Sequence, residues 1–317
     1  PVNVTIPTIA LSYLNKTKME SVILTNGTTI PSNAFAYSQS LKTITFGNNI
    51  ILIEAEAFRD CYNLESVYYN GDITSWCNIS FTDNSDIKRN NPLIYANNFY
   101  INNELVTELQ IPDEVTEIKP FAFLNCRSLT KVTIGNGVKH IGQYAFCQCE
   151  NLLDVILGDN VTTVGEWAFS YCTNLQKITL GKNLRTINDY AFGNTGYQYY
   201  GSQCTALREV HYTGDIASYC GITFRGHQAN PLYYAHDLYI NHELIQEIVL
   251  PNTISIIKQY TLTQWRGTSI TISDSVTCIE NDAFYLCGDL ISVYYTGDIA
   301  SWCRITFYDY NSNPLRS

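Results

Sequence analysis

The chain has 317 residues, of which 45% are hydrophobic and 15% are charged, and its formal net charge at pH 7 is −10. This acidic balance argues against nucleic acid or anionic lipid as the main partner, because either would need a basic protein face. No apolar run approaches the roughly 18 residues of a membrane-spanning helix, so we expect no direct membrane insertion of this segment.

The first 18 residues carry little regular pattern. Val4-Thr5-Ile6-Pro7 has the alternation of a short strand, but the alternation fails after it. We expect residues 1–18 to form an irregular edge or cap, since the terminal units of repeat proteins are usually atypical. From Met19 a pattern begins that continues along the chain, so residues 19–317 are expected to form a single array.

The pattern is a repeat of 23 residues, incomplete at Met19 and complete from Leu41. Between Val106 and Asn174 three copies follow one another without a gap. Each copy has apolar residues at offsets 0, 3, 5, 9 and 12, an Ala-Phe pair at offsets 16 and 17, and Cys at offset 20. In the middle copy these positions are Leu129, Val132, Ile134, Val138, Ile141, Ala145, Phe146 and Cys149. A period this regular predicts stacked structural repeats.

Each repeat is predicted to contribute one short strand. Offsets 3 and 5 alternate with polar neighbours, which indicates a strand with one buried face. The remaining residues suffice for a turn and a return segment that carries the Ala-Phe pair. Successive strands must then pair in parallel, about 4.8 Å apart. We therefore expect a solenoid of about eleven rungs, with a parallel sheet on one face and irregular or short-helical return segments.

A longer unit interrupts the array at three places, which are residues 64–105, 207–244 and 290–317, the last of them incomplete. Each contains a Gly-Asp-Ile-x-Ser-aromatic-Cys segment, in which the Asp is suited to cap a short helix whose Ile and aromatic side chains face inward. The capping residues are Asp72, Asp215 and Asp298. Later in the unit, Asn102-Asn103 and Asn241-His242 each separate two short runs, which predicts a tight hairpin.

The eleven cysteines follow the repeat. Six of them hold offset 20, namely Cys61, Cys126, Cys149, Cys172, Cys204 and Cys287. A cysteine fixed by repeat register is most simply a small buried residue, so we predict free, buried thiols in preference to disulfides or zinc ligands.

The pattern L-x-x-I-x-I-x-x-x-V-x-x-I-x-x-x-A-F-x-x-C-x-x-L, here Leu129 to Leu152, closely resembles the BspA-type leucine-rich repeat. The long units resemble a variant found among bacterial members of that family, and the resemblance covers about residues 19–315. It implies a curved solenoid on surface or secreted proteins of host-associated microbes, used for adhesion to host matrix proteins or other cells. Members are generally not catalytic. The expected location is therefore secreted or cell surface, with the export signal and anchor outside this chain.

Candidate binding residues are those that the repeat pattern leaves unexplained. On the strands, offsets 2 and 4 point away from the core. They form a mildly polar, threonine-rich face with larger rings at Tyr68, His211 and Tyr294. This face is either a solvated surface, whose Thr and Tyr simply favour strands, or a ligand-binding face.

An insertion of nine residues follows the repeat that begins at Leu175, within residues 193–203. It places Tyr197, Tyr199 and Tyr200 among Gly, Ser and Asn, a composition typical of antibody paratopes. These tyrosines are our first choice for ligand recognition. The alternative is a permissive insertion that folds back on the solenoid.

No catalytic residue, metal site or cofactor is predicted. His236 and His242 correspond to Asn97 and Asn103 of the first long unit, so these positions tolerate a side chain that cannot titrate near neutral pH. Acidic residues are scattered, and the motifs of serine hydrolases, zinc proteases and P-loop enzymes are missing from the sequence.

The leading interpretation is a monomeric, non-enzymatic binding module that engages a protein or glycan, with host extracellular matrix among the candidate ligands. One alternative is a structural spacer that presents another domain. Another is the substrate-recruiting region of a larger enzyme.

Overall fold

The computed structural model describes residues 2–6, 8, 18–82, 90–194 and 203–316. Within these residues, two ladders of parallel strands accompany the repeats. The first ladder uses repeat offsets 2 to 5 and is called the strand face. The second uses two-residue strands at offsets 11 and 12 and belongs to the return side.

The strand face comprises three sheets. The first contains β1 (Val2–Ile6), β2 (Met19–Leu24), β4 (Thr43–Gly47), β6 (Ser66–Asn70), β8 (Asn98–Ile101) and β9 (Glu104–Leu105). The second contains β10 (Glu108–Ile111), β12 (Lys131–Ile134), β14 (Asp154–Ile156), β16 (Lys177–Leu180), β18 (Glu209–Tyr212), β20 (Asp237–Ile240) and β21 (Glu243–Leu244). The third contains β22 (Glu247–Val249), β24 (Ser269–Ile272) and β26 (Ser292–Tyr295).

The return side also comprises three sheets. The first contains β3 (Thr29–Ile30), β5 (Leu52–Ile53) and β7 (Ser80–Phe81). The second contains β11 (Glu117–Ile118), β13 (His140–Ile141), β15 (Thr163–Val164), β17 (Thr186–Ile187) and β19 (Thr223–Phe224). The third contains β23 (Ile256–Ile257), β25 (Cys278–Ile279) and β27 (Thr306–Phe307). The short helices are α1 (Ile73–Cys77), α2 (Ile216–Cys220), α3 (Leu232–Ala235) and α4 (Ile299–Trp302). Single 3-10 turns lie at Pro92–Ile94, His227–Ala229, Tyr310–Ser312 and Pro314–Arg316.

The pairing register follows the repeat period. Lys131 pairs with Asp154, and Asp154 with Lys177, so that neighbouring strands are offset by one repeat of 23 residues. This register confirms the predicted solenoid with a parallel sheet on one face. The second ladder is an addition, because it gives regular pairing to return segments that the sequence predicts as irregular or short-helical.

The core consists of the repeated apolar columns. In the three complete copies every apolar, Ala-Phe and Cys position is at most 9% exposed. Phe146 stacks between Phe123 and Phe169, with ring centroids 5.1 and 5.3 Å away. The Phe column therefore fills the space between the strand face and the return side, as the pattern predicts.

The Ala-Phe pair is flanked by residues in the left-handed region, at offsets 15 and 19. In the middle copy these are Tyr144 and Gln148, with φ of 56° and 63°. The Tyr144 N–H donates to the Glu166 carbonyl at 3.0 Å, and the Gln148 N–H donates to the Ser170 carbonyl at 2.8 Å. Non-glycine residues seldom adopt this conformation. Hydrogen bonds between rungs hold it here.

The cysteines of offset 20 lie against the backbone of the preceding repeat. The Cys149 thiol donates to the Phe123 carbonyl at 3.2 Å, and the Cys172 thiol donates to the Phe146 carbonyl at 3.2 Å. Cys61, Cys204 and Cys287 make the same kind of contact. All six cysteines of the column are buried free thiols.

The long units contain the predicted capped helices. The Asp72 carboxylate accepts from the Ser75 N–H at 2.7 Å, and the Asp215 carboxylate accepts from the Ser218 N–H at 2.8 Å. Asp298 caps α4 in the same way. In the two complete units the aromatic residue of the helix, Trp76 or Tyr219, is fully buried.

Each complete long unit also adds a second strand to the strand face. β8 pairs in parallel with β6 and antiparallel with β9, and β20 pairs in the same way with β18 and β21. Asn102 and Asn103 have φ of 49° and 68°, which suits a type I′ turn. The hairpins are thus confirmed. The predicted count of about eleven rungs comes from the 23-residue repeat alone, so it does not include β8 and β20.

Two buried asparagines link the long units to the repeats that follow them. Asn230 Nδ2 donates to the Tyr260 and Thr261 carbonyls at 2.8 and 3.1 Å, while its Oδ1 accepts from the Leu232 N–H at 2.9 Å. Asn91 forms the corresponding bonds in the first long unit. The Asn-Pro-Leu motif therefore holds the return segment of the next repeat in place.

Candidate binding surface

A ring pair lies on the strand face of the first long unit. Tyr68 of β6 stacks on Tyr100 of β8 with ring centroids 4.5 Å apart and an interplanar angle of 9°. Leu105 is directly opposite Tyr100 in the antiparallel hairpin, so the two side chains share a face. Leu105 is 43% exposed. We call Tyr68, Tyr100 and Leu105 patch 1.

The second long unit repeats this arrangement with a histidine in place of the first tyrosine. His211 of β18 stacks on Tyr239 of β20 with centroids 4.4 Å apart and an angle of 7°. Leu244 is opposite Tyr239 and is 42% exposed. We call His211, Tyr239 and Leu244 patch 2.

The two patches differ in charge. Patch 1 is bordered by Ser66 and Asn98, which are neutral. At the corresponding positions patch 2 has Glu209 and Asp237, and His211 Nε2 lies 2.8 Å from Glu209 Oε2. The pKa of Tyr239 is raised, mainly by loss of hydration and then by these two carboxylates. Patch 2 is therefore the more acidic of two similar surfaces.

The strands between the patches carry charges of alternating sign at offset 2. Lys131 Nζ lies 3.9 Å from Asp154 Oδ2, and Lys177 Nζ lies 3.8 Å from Glu209 Oε2. These side chains are about 30 to 40% exposed, and such pairs contribute little to stability. Because the signs alternate, this face does not present one continuous charge to a ligand.

Of the strand-face residues predicted from the sequence, the structure brings Tyr68 and His211 each into a ring pair but does not bring the two together. They lie on β6 and β18, with four parallel strands of other repeats between the long units. Tyr294 lies on β26 and is 57% exposed, beside Thr271 of β24. Within the described chain no ring stacks on Tyr294, since β26 has no second long-unit strand beside it.

The predicted insertion residues Tyr197, Tyr199 and Tyr200 lie outside the described residues. The first residues of the insertion are held on the preceding repeat. Asn194 Nδ2 donates to the Tyr171 hydroxyl at 2.6 Å, and the Ser170 hydroxyl donates to the Gly193 carbonyl.

Sequence reasoning missed Tyr100, Tyr239 and the two leucines. Their signal was present, because Tyr-Ile and Glu-Leu recur at the same places in both complete long units. The pattern was sufficient to predict a hairpin. It does not reveal that the first strand of each hairpin, β8 or β20, also pairs with a strand of the parallel sheet. This pairing places Tyr100 beside Tyr68 and Tyr239 beside His211.

The described ranges contain no group of three or more His, Cys, Asp or Glu side chains placed to hold a metal ion. In the same ranges, none of the helices has the length and apolar character needed to cross a bilayer.

Comparison with known proteins gives one family match. A family model described as a BspA type leucine rich repeat region (6 copies) matches residues 5–102, 92–209 and 235–314. No curated protein matches the chain.

Several solved structures match the chain at low sequence identity. A leucine rich cell surface protein from Faecalibacterium prausnitzii is 19% identical, with a TM-score of 0.35 and 90% of each chain covered. A leucine-rich repeat protein from Bacteroides ovatus is 16% identical, with a TM-score of 0.41, 91% of this chain covered and 70% of that one. The pneumococcal vaccine antigen PcpA is 13% identical, with a TM-score of 0.39, 90% of this chain covered and 76% of that one.

Proposed function

Since this chain belongs to the BspA-type leucine-rich repeat family, we propose that it is a binding module for a protein ligand and that the strand face is its binding surface. The role we propose is adhesion, from a cell surface or in secreted form, to a host protein such as a component of the extracellular matrix. This role requires neither a cofactor nor a catalytic residue.

The observation that carries the proposal is the duplication of one surface. Patch 1 and patch 2 each combine two stacked rings with a partly exposed leucine on a sheet. Stacked rings on paired strands have little side-chain freedom to lose when a ligand binds, and aromatic residues supply most of the binding energy in many protein interfaces. The repeated arrangement therefore offers two places on one face where a ligand could bury apolar surface.

The spacing of the patches suits a folded protein as the ligand. β9, β10, β12, β14 and β16 come between β8 and β18 along the chain, so the usual strand spacing would put about 25 to 30 Å between the inner edges of the patches. An interface of ordinary size covers about 800 Å² on each partner, which is a square with sides of about 28 Å. A folded protein with an interface of at least this size can therefore contact both patches.

The proposal is tested with a variant that removes one ring from each patch. Purified wild-type protein and the double variant Tyr100→Ser, Tyr239→Ser are measured by biolayer interferometry against immobilised matrix proteins and mucins. We expect saturable binding to at least one of these proteins, and at least tenfold weaker binding by the variant, because it disrupts both apolar patches.

The control variant is Tyr308→Ser, which removes a 64% exposed tyrosine outside both patches and should bind like wild type. Circular dichroism melting verifies that all variants are folded. Binding that survives in the double variant but is lost in Tyr197→Ser, Tyr199→Ser, Tyr200→Ser would move the site to the insertion. A folded protein that binds none of the panel would contradict the proposal and favour a structural spacer.

A further inference from the structure

The geometry of the return side points to a second binding site, and we propose that its ligand is a neutral oligosaccharide. The site lies on the opposite part of the repeat from patches 1 and 2 and does not depend on them. It is an open groove of about 330 Å³. Its lining residues are Gln143, Gly165, Glu166, Asn188, Asp189 and Arg225.

The groove arises from the repeat itself. Gln143, Glu166 and Asp189 all occupy offset 14, directly before the left-handed residue of three successive repeats. Rungs about 4.8 Å apart give the groove a length of about 10 Å, which is sufficient for about two sugar units. Arg225 comes from the second long unit, directly after β19.

Glu166 is held in a fixed orientation. One carboxylate oxygen accepts from Gln143 Nε2 at 3.1 Å, and the other accepts from the Trp167 indole N–H at 3.2 Å. A carboxylate has further acceptor positions after these two bonds. Glu166 is therefore an oriented acceptor for a hydroxyl group.

Asp189 and Arg225 line the same groove without pairing. Among the described residues, neither side chain forms an ion pair or a hydrogen bond. Asn188 uses its Nδ2 to donate to the Val164 carbonyl at 3.0 Å, which leaves its Oδ1 as an acceptor. The groove thus offers both donors and acceptors that the protein itself does not satisfy.

This combination of charges selects the class of ligand. An anion attracted to Arg225 would be repelled by Glu166 and Asp189, and an organic cation attracted to the carboxylates would be repelled by Arg225. A sugar hydroxyl both donates and accepts, so it pairs with all three groups without adding charge. A polyhydroxylated, uncharged ligand is therefore the best complement.

A row of rings at offset 15 lies beside the groove without lining it. Trp167 lies 5.8 Å from Tyr144 and 4.8 Å from Tyr190, measured between ring centroids. All three rings are partly exposed. Trp167 is linked to the groove through Glu166, which accepts a hydrogen bond from the indole N–H. The rings cover one another's faces, so the groove would bind a sugar through its polar groups, and Trp167 would report on binding through its bond to Glu166.

The test uses hexameric gluco-, manno-, xylo- and chito-oligosaccharides as probes, with a sulfated oligosaccharide for comparison. Binding is measured by calorimetry and by the fluorescence of Trp167, with Trp167→Phe identifying its part of the signal. We expect at least one neutral probe to bind saturably. Asp189→Ala and Arg225→Ala should each weaken that binding at least tenfold, while Arg185→Ala, an exposed arginine outside the groove, should not.

The proposal would be overturned if no neutral probe binds the folded protein, if the sulfated probe binds more tightly, or if the groove variants bind like wild type. Its failure is distinguishable from failure of the protein-binding proposal. The double variant Tyr100→Ser, Tyr239→Ser should bind sugar normally, and a parallel loss of sugar binding would contradict a separate site. Melting temperatures establish that each variant is folded.

Discussion

At the residue scale, the cysteine column is protected by burial and hydrogen bonding together. Each thiol of the column lies within the core, and five of the six donate to a carbonyl of the preceding repeat. Burial raises the pKa of Cys126 and Cys287 to about 12 and raises the pKa of Cys149 and Cys172 well above the ordinary value. Since the thiolate is the reactive form, these residues should be unreactive in the folded protein.

We therefore expect thiol labelling to separate the cysteines sharply. At pH 8, an alkylating reagent should modify the exposed Cys303 first and the half-buried Cys278 more slowly. The column cysteines should react only on unfolding, because their raised pKa values keep them protonated. Mass analysis of peptides measures this order, with labelling in urea as the control in which all sites react. Early modification of Cys149 or Cys172 would contradict the structure.

The burial of a residue could be predicted from the sequence where the same residue type recurs at the same repeat offset. Phe146 and Cys149 could be assigned to the core because the same offset recurs in neighbouring copies. The ring pair of Tyr68 and Tyr100 could not, since it depends on which strands become neighbours across 32 residues. The left-handed conformation of Tyr144 also has no sequence signal, because tyrosine does not favour positive φ.

At the scale of elements, the capped helices and hairpins were predictable because their signals are local. An Asp before a short apolar segment and two turn residues between short strands act within a few positions. The groove on the return side was not predictable. It combines residues of three repeats and a long unit, and its shape depends on the stacking of the rungs.

The buried asparagine of the long unit is expected to contribute strongly to stability. Asn230→Ala would leave the buried Thr261 carbonyl and the Leu232 N–H without partners, and the Tyr260 carbonyl would keep only its bond from the Thr263 N–H. This loss should lower the free energy of unfolding by about 3 kcal/mol. The control is Asn174→Ala, where an exposed side chain donates to the Glu150 carbonyl and about 1 kcal/mol or less is expected. Urea denaturation of both variants measures the difference, and equal losses would contradict this role for the buried amide.

At the scale of the whole molecule, the hydrophobic core is continuous, whereas the strand pairing is divided into separate sheets. The buried apolar residues form one continuous cluster along the described chain. The strands, in contrast, form separate sheets, because the first two sheets of the strand face each end on an antiparallel hairpin. The strand ladders therefore leave three blocks, which are joined by packing, by the side-chain bonds of Asn91 and Asn230, and by a bond from the Arg266 N–H to the His236 carbonyl.

This division has a mechanical consequence. When the two ends of the chain are pulled apart, the hairpins at β9 and β21 are places where no backbone ladder transmits load to the next strand. Single-molecule force spectroscopy should then record three lengthening events, of about 35, 50 and 25 nm for blocks of about 105, 140 and 70 residues. One rupture of the whole array, or a series of single-repeat steps, would contradict this. A chain that lengthens in stages takes up a sudden load over a longer time, so a bond at its far end experiences a lower peak force.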